Sequence, residues 1–483
     1  MPKGYSRGSY AYLSGTSMAS PNLTGLIATV KQYVKERFPA ATELEVRNLC
    51  YRLVQSTAVQ TLDAGGNLAS PRAQGAGIAD VKRAIETDAY LWVTGSSRTK
   101  LELGDDKNRD GVYTLRFNVT NFGDNTLSYR PEVSSFTETL NDNGTLALRS
   151  YPLDKGTVKV SSDAISNGVI ILEAGETASV TIVITLSDDE KQYLDNGFEN
   201  GMYVEGFAFL RAENGTDIDL SIPFLGFYGD WTDAPIFDVT AYDNKEPAVY
   251  GSTVYGIFGR YDQYYPMGTY SFFTPENPDE EVPEASYDRI ALTCDEDGVG
   301  SIYAIYLADF RNISYMEYNL TDEETGYTYF TYHDYNVRKM YYNASSQQIV
   351  VAGHDLNIGD LLETYDFSSN QRLILSVDAY LDTEGKNSHR RLEFPIYLDF
   401  EKPVLEKAEI REENDRILVD MDVYDNHILD NLLLGTPGED SEDLSLLTNF
   451  ALPVNNFVQG QINTITLDVT DYIPGMKDGQ FYV

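Results

Sequence analysis

The stretch Ser14-Gly15-Thr16-Ser17-Met18-Ala19-Ser20-Pro21 opens the first helical pattern of the chain. Apolar residues recur at helical spacing after it, which predicts a helix from about Met18 to Arg37. A serine at a helix start lies beside unpaired backbone N–H groups, and the helix dipole favours negative charge there. Acyl transfer needs an exposed hydroxyl, a neighbouring base and donors for the developing oxyanion. The stretch therefore predicts Ser17 as a nucleophile.

The remaining residues of this stretch fit the same interpretation. Gly15 lets the backbone and a substrate approach closely, and Pro21 lies near the predicted helix start, where a missing N–H costs little. The structural alternative makes Thr16 an N-cap and Ser17 an ordinary first-turn residue. A lone Ser-Met pair favours that alternative, whereas the whole stretch joined to a helix favours a nucleophile.

Ser14 to Pro21 resembles the nucleophile motif of subtilisin-like serine peptidases, the subtilases. Residues 69–78, with the sequence ASPRAQGAGI, are similar to the segment that closes their catalytic domain. Residues 200–207 and 220–227 resemble the first fibronectin-like module of Gram-positive cell-envelope proteinases of the lactocepin and C5a-peptidase group. The resemblance is specific over residues 10–88, good over about 92–231, and diffuse beyond.

The resemblance implies that Ser17 is the nucleophile, that its backbone N–H is one oxyanion donor, and that Gly15, Thr16 and Met18 support the motif. In subtilases the triad order along the chain is Asp, His, Ser, and an asparagine that supplies the second oxyanion donor also precedes the serine. None of the sixteen residues before Ser17 is Asp, His or Asn. We therefore expect an N-terminally truncated chain that is inactive alone.

The four histidines of the chain all lie far from Ser17 in sequence: His333, His354, His389 and His427. A general base must lie within hydrogen-bond reach of the serine, and the family supplies it from its own catalytic domain. We interpret these four as surface or core residues of β modules. Loss of triad members leaves only weak residual catalysis.

The sequence pattern changes from helical to alternating after Thr87. A capping-box pattern at Thr42 and Glu45 predicts a second helix, and a short third helix is expected from about Ile78 to Glu86. Strands are predicted at 115–119, 180–186, 202–210, 217–227, 301–310, 313–319, 373–381 and 391–399.

We therefore predict a multi-domain chain: a C-terminal fragment of a subtilisin-like α/β catalytic domain, mainly helices, followed by two to three fibronectin type III-like antiparallel β-sandwich modules. The expected boundaries are 1–88 for the peptidase segment, 92–229 for the first sandwich, 230–285 for a connector with short strands, 286–403 for the second sandwich and 404–483 for an incomplete third module. Without their parallel sheet, the helices of residues 1–88 are expected to lack a packing partner and to be protease-sensitive, with residues 92–403 resistant.

The uneven and strongly acidic charge of the chain limits the kinds of molecule that it can bind. The net charge is −39, yet residues 1–88 contain ten Lys or Arg and seven Asp or Glu, against 26 and 68 in the remainder. So acidic a surface disfavours nucleic acid and anionic lipid, and no apolar run of membrane-spanning length occurs. By resemblance, the partners are extended protein or peptide substrates, and the location is the extracellular surface of a Gram-positive-type bacterium. The sequence does not indicate the oligomeric state.

Several weaker features leave alternatives open. Cys50 is expected to be a buried small hydrophobe, and nothing supports a zinc site. Residues 105–111 and 294–298 are acidic turns for which structural Ca²⁺ is the less favoured alternative; no cofactor is expected for catalysis. The tyrosines of 327–342 are interpreted as half-buried strand residues rather than a binding face.

Three hypotheses on function follow. The first is a fragment of an extracellular serine endopeptidase whose β modules buttress the catalytic domain and help select extended substrates. The second is a non-catalytic surface or adhesion protein with a relic peptidase segment. The third, compatible with the first, is a mis-assigned start codon.

Overall fold

The computed structural model describes residues 13–472, except 214, 216, 244, 259–262, 269–284, 296–297, 300, 344, 356–363, 383–388, 430, 438–443 and 452–457. The chain divides into two compact units, residues 1–234 and 235–483. Within the described ranges, no helix combines the length and the apolar content needed to cross a bilayer.

The first unit begins with a helical segment. Its helices are α1 (Thr16–Arg37), α2 (Glu43–Ser56), α3 (Pro71–Gln74) and α4 (Val81–Glu86). The predicted capping box is confirmed, because Thr42 N–H donates to Glu45 Oε2 at 2.8 Å and Glu45 N–H donates to Thr42 Oγ1 at 3.3 Å. A small core joins the second half of α1 to α2 and α4; its buried residues are Val30, Val34, Val46, Cys50, Leu53, Val54 and Ala84. The free thiol of Cys50 is buried there, as predicted.

A β-sandwich completes the first unit. Its strands are β1 (Ala89–Trp92), β2 (Leu101–Asp106), β3 (Val112–Asn121), β4 (Leu127–Leu140), β5 (Leu146–Pro152), β6 (Thr157–Ser162), β7 (Ile165–Ser166), β8 (Val169–Leu172), β9 (Thr177–Thr185), β10 (Met202–Ala212) and β11 (Leu220–Tyr228), with the helix α5 (Asp188–Gly197) after β9. One sheet has the order β1-β3-β9-β6 and the other β2-β11-β10-β4-β8-β7, with β5 also paired to β4.

The core of this sandwich follows from alternating sequence patterns. In β3 and β9, every second side chain is buried between the sheets. All the pairings are antiparallel except that of β2 with β11. The predicted antiparallel sandwich is thus found with one parallel edge.

The second unit is also mainly β-sheet. Its strands are β12 (Thr253–Phe258), β13 (Gln263–Pro266), β14 (Ala291–Asp295), β15 (Gly298–Val299), β16 (Ser301–Leu307), β17 (Ile313–Asp322), β18 (Thr328–Val337), β19 (Tyr341–Asn343), β20 (Gln348–Val350), β21 (Ala352–Asp355), β22 (Arg372–Tyr380), β23 (His389–Asp399), β24 (Val404–Glu413), β25 (Arg416–Tyr424), β26 (Asn431–Pro437), β27 (Leu444–Ala451) and β28 (Ile462–Asp468). Within the described residues the sheet orders are β13-β12-β16-β21, β15-β14-β23-β22-β17-β18, β19-β20, β24-β25-β28 and β26-β27.

Several expectations need correction. The third helix begins at Val81 rather than near Ile78, and α3 was not expected. Strand β12 pairs with β16, so part of the expected connector belongs to a sheet of the second unit. The tyrosines of 327–342 are more exposed than half-buried strand residues, since Tyr335 on the edge strand β18 is 60% exposed. The number of modules and the five boundaries remain predictions.

Part of the helical surface of the peptidase segment does have a packing partner, contrary to expectation. Ser56 Oγ, at the end of α2, accepts the Leu91 N–H at 2.9 Å, and Gln55 Oε1 accepts the Thr99 N–H at 2.8 Å. Arg83 of α4 donates to the Asp219 carbonyl at 2.9 Å. The sandwich therefore covers part of the helical surface that a parallel sheet was expected to cover.

Candidate active site

Ser17 is the second residue of α1 and is exposed to solvent. The helix begins because the Gly15 carbonyl accepts the N–H groups of Met18 at 3.0 Å and Ala19 at 3.1 Å. Within the described residues, neither the amide nor the hydroxyl of Ser17 has a hydrogen-bond partner. An exposed hydroxyl and a free first-turn N–H therefore occupy one residue at the positive end of a helix dipole.

Gly15 is the N-cap of α1 and makes this helix start possible. Its φ of 146° lies in a region that side-chain-bearing residues rarely adopt. The nearest atom to a Cβ at this position would be the Met18 sulfur at 3.9 Å, so space alone would admit a side chain. The requirement for glycine is therefore conformational. Thr16 is the first helical residue and not the N-cap that the structural alternative assumed.

Pro21 lies deeper in the helix than expected. Because α1 begins at Thr16, Pro21 is inside the helix rather than at its start, and its missing N–H leaves the Ser17 carbonyl without the usual intrahelical donor. Nearby polar side chains bond to main-chain carbonyls of the same region: Asn22 Nδ2 donates to Met18 O at 3.0 Å and Thr24 Oγ1 to Ser20 O at 2.9 Å. All of these groups are exposed.

The first unit contains no histidine that could act as a general base for Ser17. Residues 1–234 contain no histidine, and among the described residues no carboxylate hydrogen bonds to the Ser17 hydroxyl. In the second unit, His333 Nε2 lies 3.1 Å from Glu317 Oε2 and His389 Nε2 lies 2.5 Å from Asp378 Oδ1. His427 is buried, and the backbone of His354 pairs with that of Ile305. Each of these histidines is described by contacts or burial within the second unit.

An ion cluster that the sequence did not indicate joins the peptidase segment to the sandwich. Arg72 of α3 forms two bonds to Glu205 of β10, at 2.9 and 3.0 Å, and one to Glu138 of β4, at 2.5 Å. Its guanidinium lies over the Tyr203 ring, 4.3 Å from the centroid. Both carboxylates are buried, and Glu205 is only 1% exposed. Burial opposes the charge of Arg72, but the two carboxylates raise the pKa of Arg72 above its ordinary value.

Hydrogen bonds extend this contact around α3. Gln60 Nε2 donates to the Ser221 hydroxyl and to the Ala76 carbonyl, both at 2.8 Å. Ser150 of β5 accepts from Asn67 at its carbonyl, at 3.0 Å, and donates its N–H to Asp63 Oδ2 at 2.7 Å. We call the contact made by residues 60–83 with β4, β5, β10 and β11 the seam.

Stretches noted separately in the sequence meet at the seam. Arg72 lies in 69–78, Glu205 in 200–207 and Ser221 in 220–227, the three stretches that carry the family resemblance outside the nucleophile motif. An isolated glutamate within the apolar pattern of β10 was the one available signal, because a carboxylate buried in a strand needs a cationic partner. The pattern did not show which of the ten cations of the peptidase segment that partner is.

Gly77 lies against the backbone of Val59, beside a bridge between two parts of the peptidase segment. An antiparallel bridge joins Ile78 to Val59, with N–H to carbonyl distances of 2.9 and 2.8 Å. Gly77 has φ 119°, and a Cβ there would lie 2.5 Å from the Val59 carbonyl oxygen. A side chain at this position would therefore meet both backbone strain and a backbone clash.

The acidic turn at residues 105–111 uses its carboxylates internally. Asp106 accepts the N–H groups of Asp110 at 2.9 Å and Gly111 at 2.7 Å, and Asp105 accepts the Trp231 N–H at 3.0 Å. In the part of the chain that the structure describes, no three Asp, Glu, His or Cys side chains are placed to hold a metal ion. The turn at 294–298 lies partly outside the described residues, and Ca²⁺ remains the less favoured alternative for both turns.

Comparison with known proteins separates the two parts of the first unit. Residues 2–77 match the subtilase family, and residues 102–225 match an Fn3-like domain. The PI-type proteinase of Lactococcus lactis subsp. cremoris is 26% identical over 82% of this chain and 21% of its own length. The PII-type proteinase of Lacticaseibacillus paracasei is 29% identical over 47% of this chain and 12% of its own length. The C5a peptidase of Streptococcus pyogenes serotype M1 is 26% identical over 50% and 19%.

The chain thus spans about a fifth or less of the length of these relatives. The subtilase match contains Ser17, Arg72 and the Gly77 closure, and the Fn3-like match contains the carboxylates that hold Arg72. Residues 2–77 are therefore similar to the subtilase family of serine peptidases, and a match to an Fn3-like domain follows at residues 102–225.

Proposed function

We propose that Ser17 is the nucleophile of an extracellular serine endopeptidase that cleaves extended polypeptides, and that this chain alone does not cleave them. The observation that carries the proposal is the position of Ser17: an exposed hydroxyl with a free amide at the start of α1, within the segment that matches the subtilases. Gly15, Thr16 and Met18 would support the motif by setting the helix start.

The chemistry expected of this site is acyl transfer. The Ser17 hydroxyl would attack a peptide carbonyl as its proton passes to a histidine, and the amine would leave with that proton, forming an acyl-enzyme that water hydrolyses. The Ser17 N–H would donate to the oxyanion, together with an asparagine side chain. The histidine would come from polypeptide other than residues 1–234, which contain no histidine. By resemblance the aspartate and the asparagine would precede the serine, and residues 1–16 contain neither.

The seam supports a buttressing role for the Fn3-like domain. Arg72 and Arg83 fix the end of the peptidase segment to β4, β10 and the loop before β11, so the domain would hold this part of an active enzyme in place. The relatives come from Lactococcus, Lacticaseibacillus and Streptococcus, which supports a place at the surface of a Gram-positive bacterium. No cofactor is proposed for catalysis.

A fluorophosphonate probe tests the nucleophile. Ser17 of this chain should not be labelled, whereas a chain extended by the reading frame upstream of the Met1 codon should be labelled at Ser17, with Ser17→Ala as the control. Labelling of the unextended chain would overturn the claim of inactivity. A stop codon or frameshift upstream, with no labelling of any in-frame product, would favour the non-catalytic surface protein instead.

A further inference from the structure

Strand β4 has a gap between its neighbours on one side. On that side β8 pairs with residues 127–129 and β5 pairs with residues 136–140. On the opposite side β10 pairs with β4 across the gap without interruption. Within the described residues, no strand pairs with residues 130–135 on the side of β5 and β8. An open strand edge is a template for a further strand. We call the opening beside residues 131–135 the slot.

The alternation along β4 identifies the main-chain groups that face the slot. Successive residues of an antiparallel strand direct their N–H and C=O groups to opposite neighbours. The Ser135 carbonyl accepts the N–H of Leu153, the residue after β5, at 2.8 Å. The groups of Val133 and Pro131 therefore point to the same side, and proline is tolerated where no strand needs its N–H. Within the described residues, the N–H and the carbonyl of Val133 have no hydrogen-bond partner.

A cavity of about 400 Å³ includes this part of β4 in its lining. Residues 133–136 line it from β4, residues 156–158 from the start of β6, and Leu62 from the peptidase segment. Leu62 is 63% exposed and Val158 is 50% exposed, so apolar side chains lie beside the open main-chain groups. Ligand pockets of proteins have volumes of this order. A ligand in the slot would contact the peptidase segment and the Fn3-like domain together.

The charge of the slot indicates the chemistry of its ligand. Asp154 is the only ionisable residue that lines the cavity. It is exposed, and within the described residues its carboxylate has no ion pair and no hydrogen bond. An unpaired carboxylate on a chain of net charge −39 attracts a cationic ligand and repels an anionic one. The same charge disfavours a second copy of this chain as the occupant.

We propose that the slot binds an extended polypeptide that adds to β4 as a short strand and places a Lys or Arg side chain beside Asp154. The Val133 N–H donates to a carbonyl of the bound polypeptide, and the Val133 carbonyl accepts one of its N–H groups. Leu62 and Val158 contact its apolar side chains. Binding does not involve Ser17, whereas a role of the bound polypeptide as substrate rests on the proposed function.

Peptide binding to the full chain tests the proposal. The probe is the peptide TVTKTVT, acetylated and amidated at its ends, and the readouts are calorimetry and hydrogen exchange of the Val133 amide. We expect binding that weakens with added salt and slows exchange of that amide. The peptide TVTETVT should bind at least about tenfold more weakly, because its carboxylate meets Asp154. Equal binding of the two peptides, or unchanged exchange at about 1 mM TVTKTVT, would overturn the proposal.

Backbone methylation tests the main-chain pairing separately from the side chains. Two forms of TVTKTVT are methylated at alternate N–H groups, so that each form loses the donors of one strand edge. Only one edge of the bound peptide pairs with β4. One form should therefore bind at least about tenfold more weakly than the parent peptide, and the other should bind like the parent. Equal binding of the two methylated forms would overturn the proposal.

Variants of the chain locate the site. Val133→Pro removes the N–H that faces the slot, on a side where Pro131 is already accepted, and should weaken TVTKTVT binding by about tenfold. Asp154→Asn should weaken it by about threefold. Asp142→Asn is the matched control, since Asp142 is exposed in the β4–β5 turn and does not line the cavity. Equal losses in the two Asp variants would overturn the proposal, as would dimerisation of the chain that Val133→Pro abolishes.

Two further measurements separate the slot from folding and from the nucleophile. The fluorescence of Trp92 and Trp231, both in the first unit, shows whether Val133→Pro is folded. If it is not, the methylated peptides probe the same hydrogen bonds on the unaltered chain. Ser17→Ala should bind TVTKTVT as tightly as the unaltered chain. Peptide binding without any labelling of Ser17 would refute the proposed function alone, and labelling without peptide binding would refute the slot alone.

Discussion

Residues 43–88 and the first half of α1 belong to the same helical segment, but they have very different surroundings. Helices α2 and α3 pack on the sandwich, where Arg72 is held by two buried carboxylates, and Arg83 of α4 donates to the Asp219 carbonyl. Residues 16–25, which contain Ser17, are exposed except for partly buried Met18. The Fn3-like domain thus contacts the end of the peptidase segment and, within the described residues, makes no contact that supports Ser17.

This difference suggests how the catalytic part is assembled. The seam fixes the segment after α1 through ion pairs and hydrogen bonds, which are specific in geometry. The region around Ser17 exposes apolar side chains instead, including Leu23 at 43% exposure and Leu13 at 64%. Under the proposed function, other polypeptide would cover that surface and bring a base to Ser17.

The largest expected effect comes from breaking the seam. Arg72→Ala should lower the free energy of unfolding of the first unit by about 3 kcal/mol, because Glu138 and Glu205 would be left buried without their cation. Both tryptophans, Trp92 and Trp231, lie in this unit, so denaturant unfolding followed by tryptophan fluorescence reports on it selectively.

The matched control for this substitution is Arg130→Ala. Arg130 pairs with Glu213 at 2.7 Å, but its side chain is 51% exposed, so its removal should cost less than about 1 kcal/mol. Adding Glu205→Gln to Arg72→Ala should recover part of the loss, because one unpaired buried charge is removed. Equal losses in Arg72→Ala and Arg130→Ala would show that the seam is not a strong contact.

A smaller effect is expected from a substitution at Gly77. Gly77→Ala should cost about 2 kcal/mol, because the new Cβ combines positive-φ strain with a contact to the Val59 carbonyl. Gly66→Ala is the control, since Gly66 has φ 83° but no atom within 4 Å of a Cβ, and about 1 kcal/mol is expected. If both variants lose the same stability in the tryptophan-monitored assay, the close approach at Val59 has no energetic role.

The smallest effect is expected at the exposed end of α1. Leu23→Ala should change the stability of the first unit by no more than about 0.5 kcal/mol, because Leu23 lies in the exposed first half of the helix. Leu26→Ala, three residues further on, should cost more, since Leu26 packs against the core of α1, α2 and α4. A larger loss at Leu23 than at Leu26 would contradict the contrast between the two halves.

The sequence predicted local features well and contacts between distant residues poorly. The capping box at Thr42, the helix up to Arg37 and the alternating strands depend on neighbouring residues, so periodicity was sufficient to find them. The seam joins Arg72 to a residue 133 positions away, and nothing in a single sequence pairs those two. The expectation of unpartnered helices was wrong for α2 and α3 for the same reason, whereas residues 16–25 of α1 are exposed.

The candidate site also combines local features that the sequence predicted with features that it did not predict. Ser17 was singled out from a compact motif whose features are local, a hydroxyl, a glycine and a helix start; the helix start is confirmed, and the role of nucleophile stays a prediction. The place of Pro21 was missed, because the helix begins two residues earlier than its apolar spacing indicates. The sequence could not predict which histidine would act on Ser17, because residues 1–234 contain none.

Hydrogen exchange across the first unit tests the contrast between the two regions most directly. Amides of residues 43–56 should be protected together with those of β10, whereas amides of residues 18–25 should exchange at least about tenfold faster. Arg72→Ala should lower protection in residues 43–86 and β10 together and leave residues 18–25 unchanged. Equal protection of residues 18–25 and 43–56, or loss in residues 43–86 without loss in β10, would contradict the account.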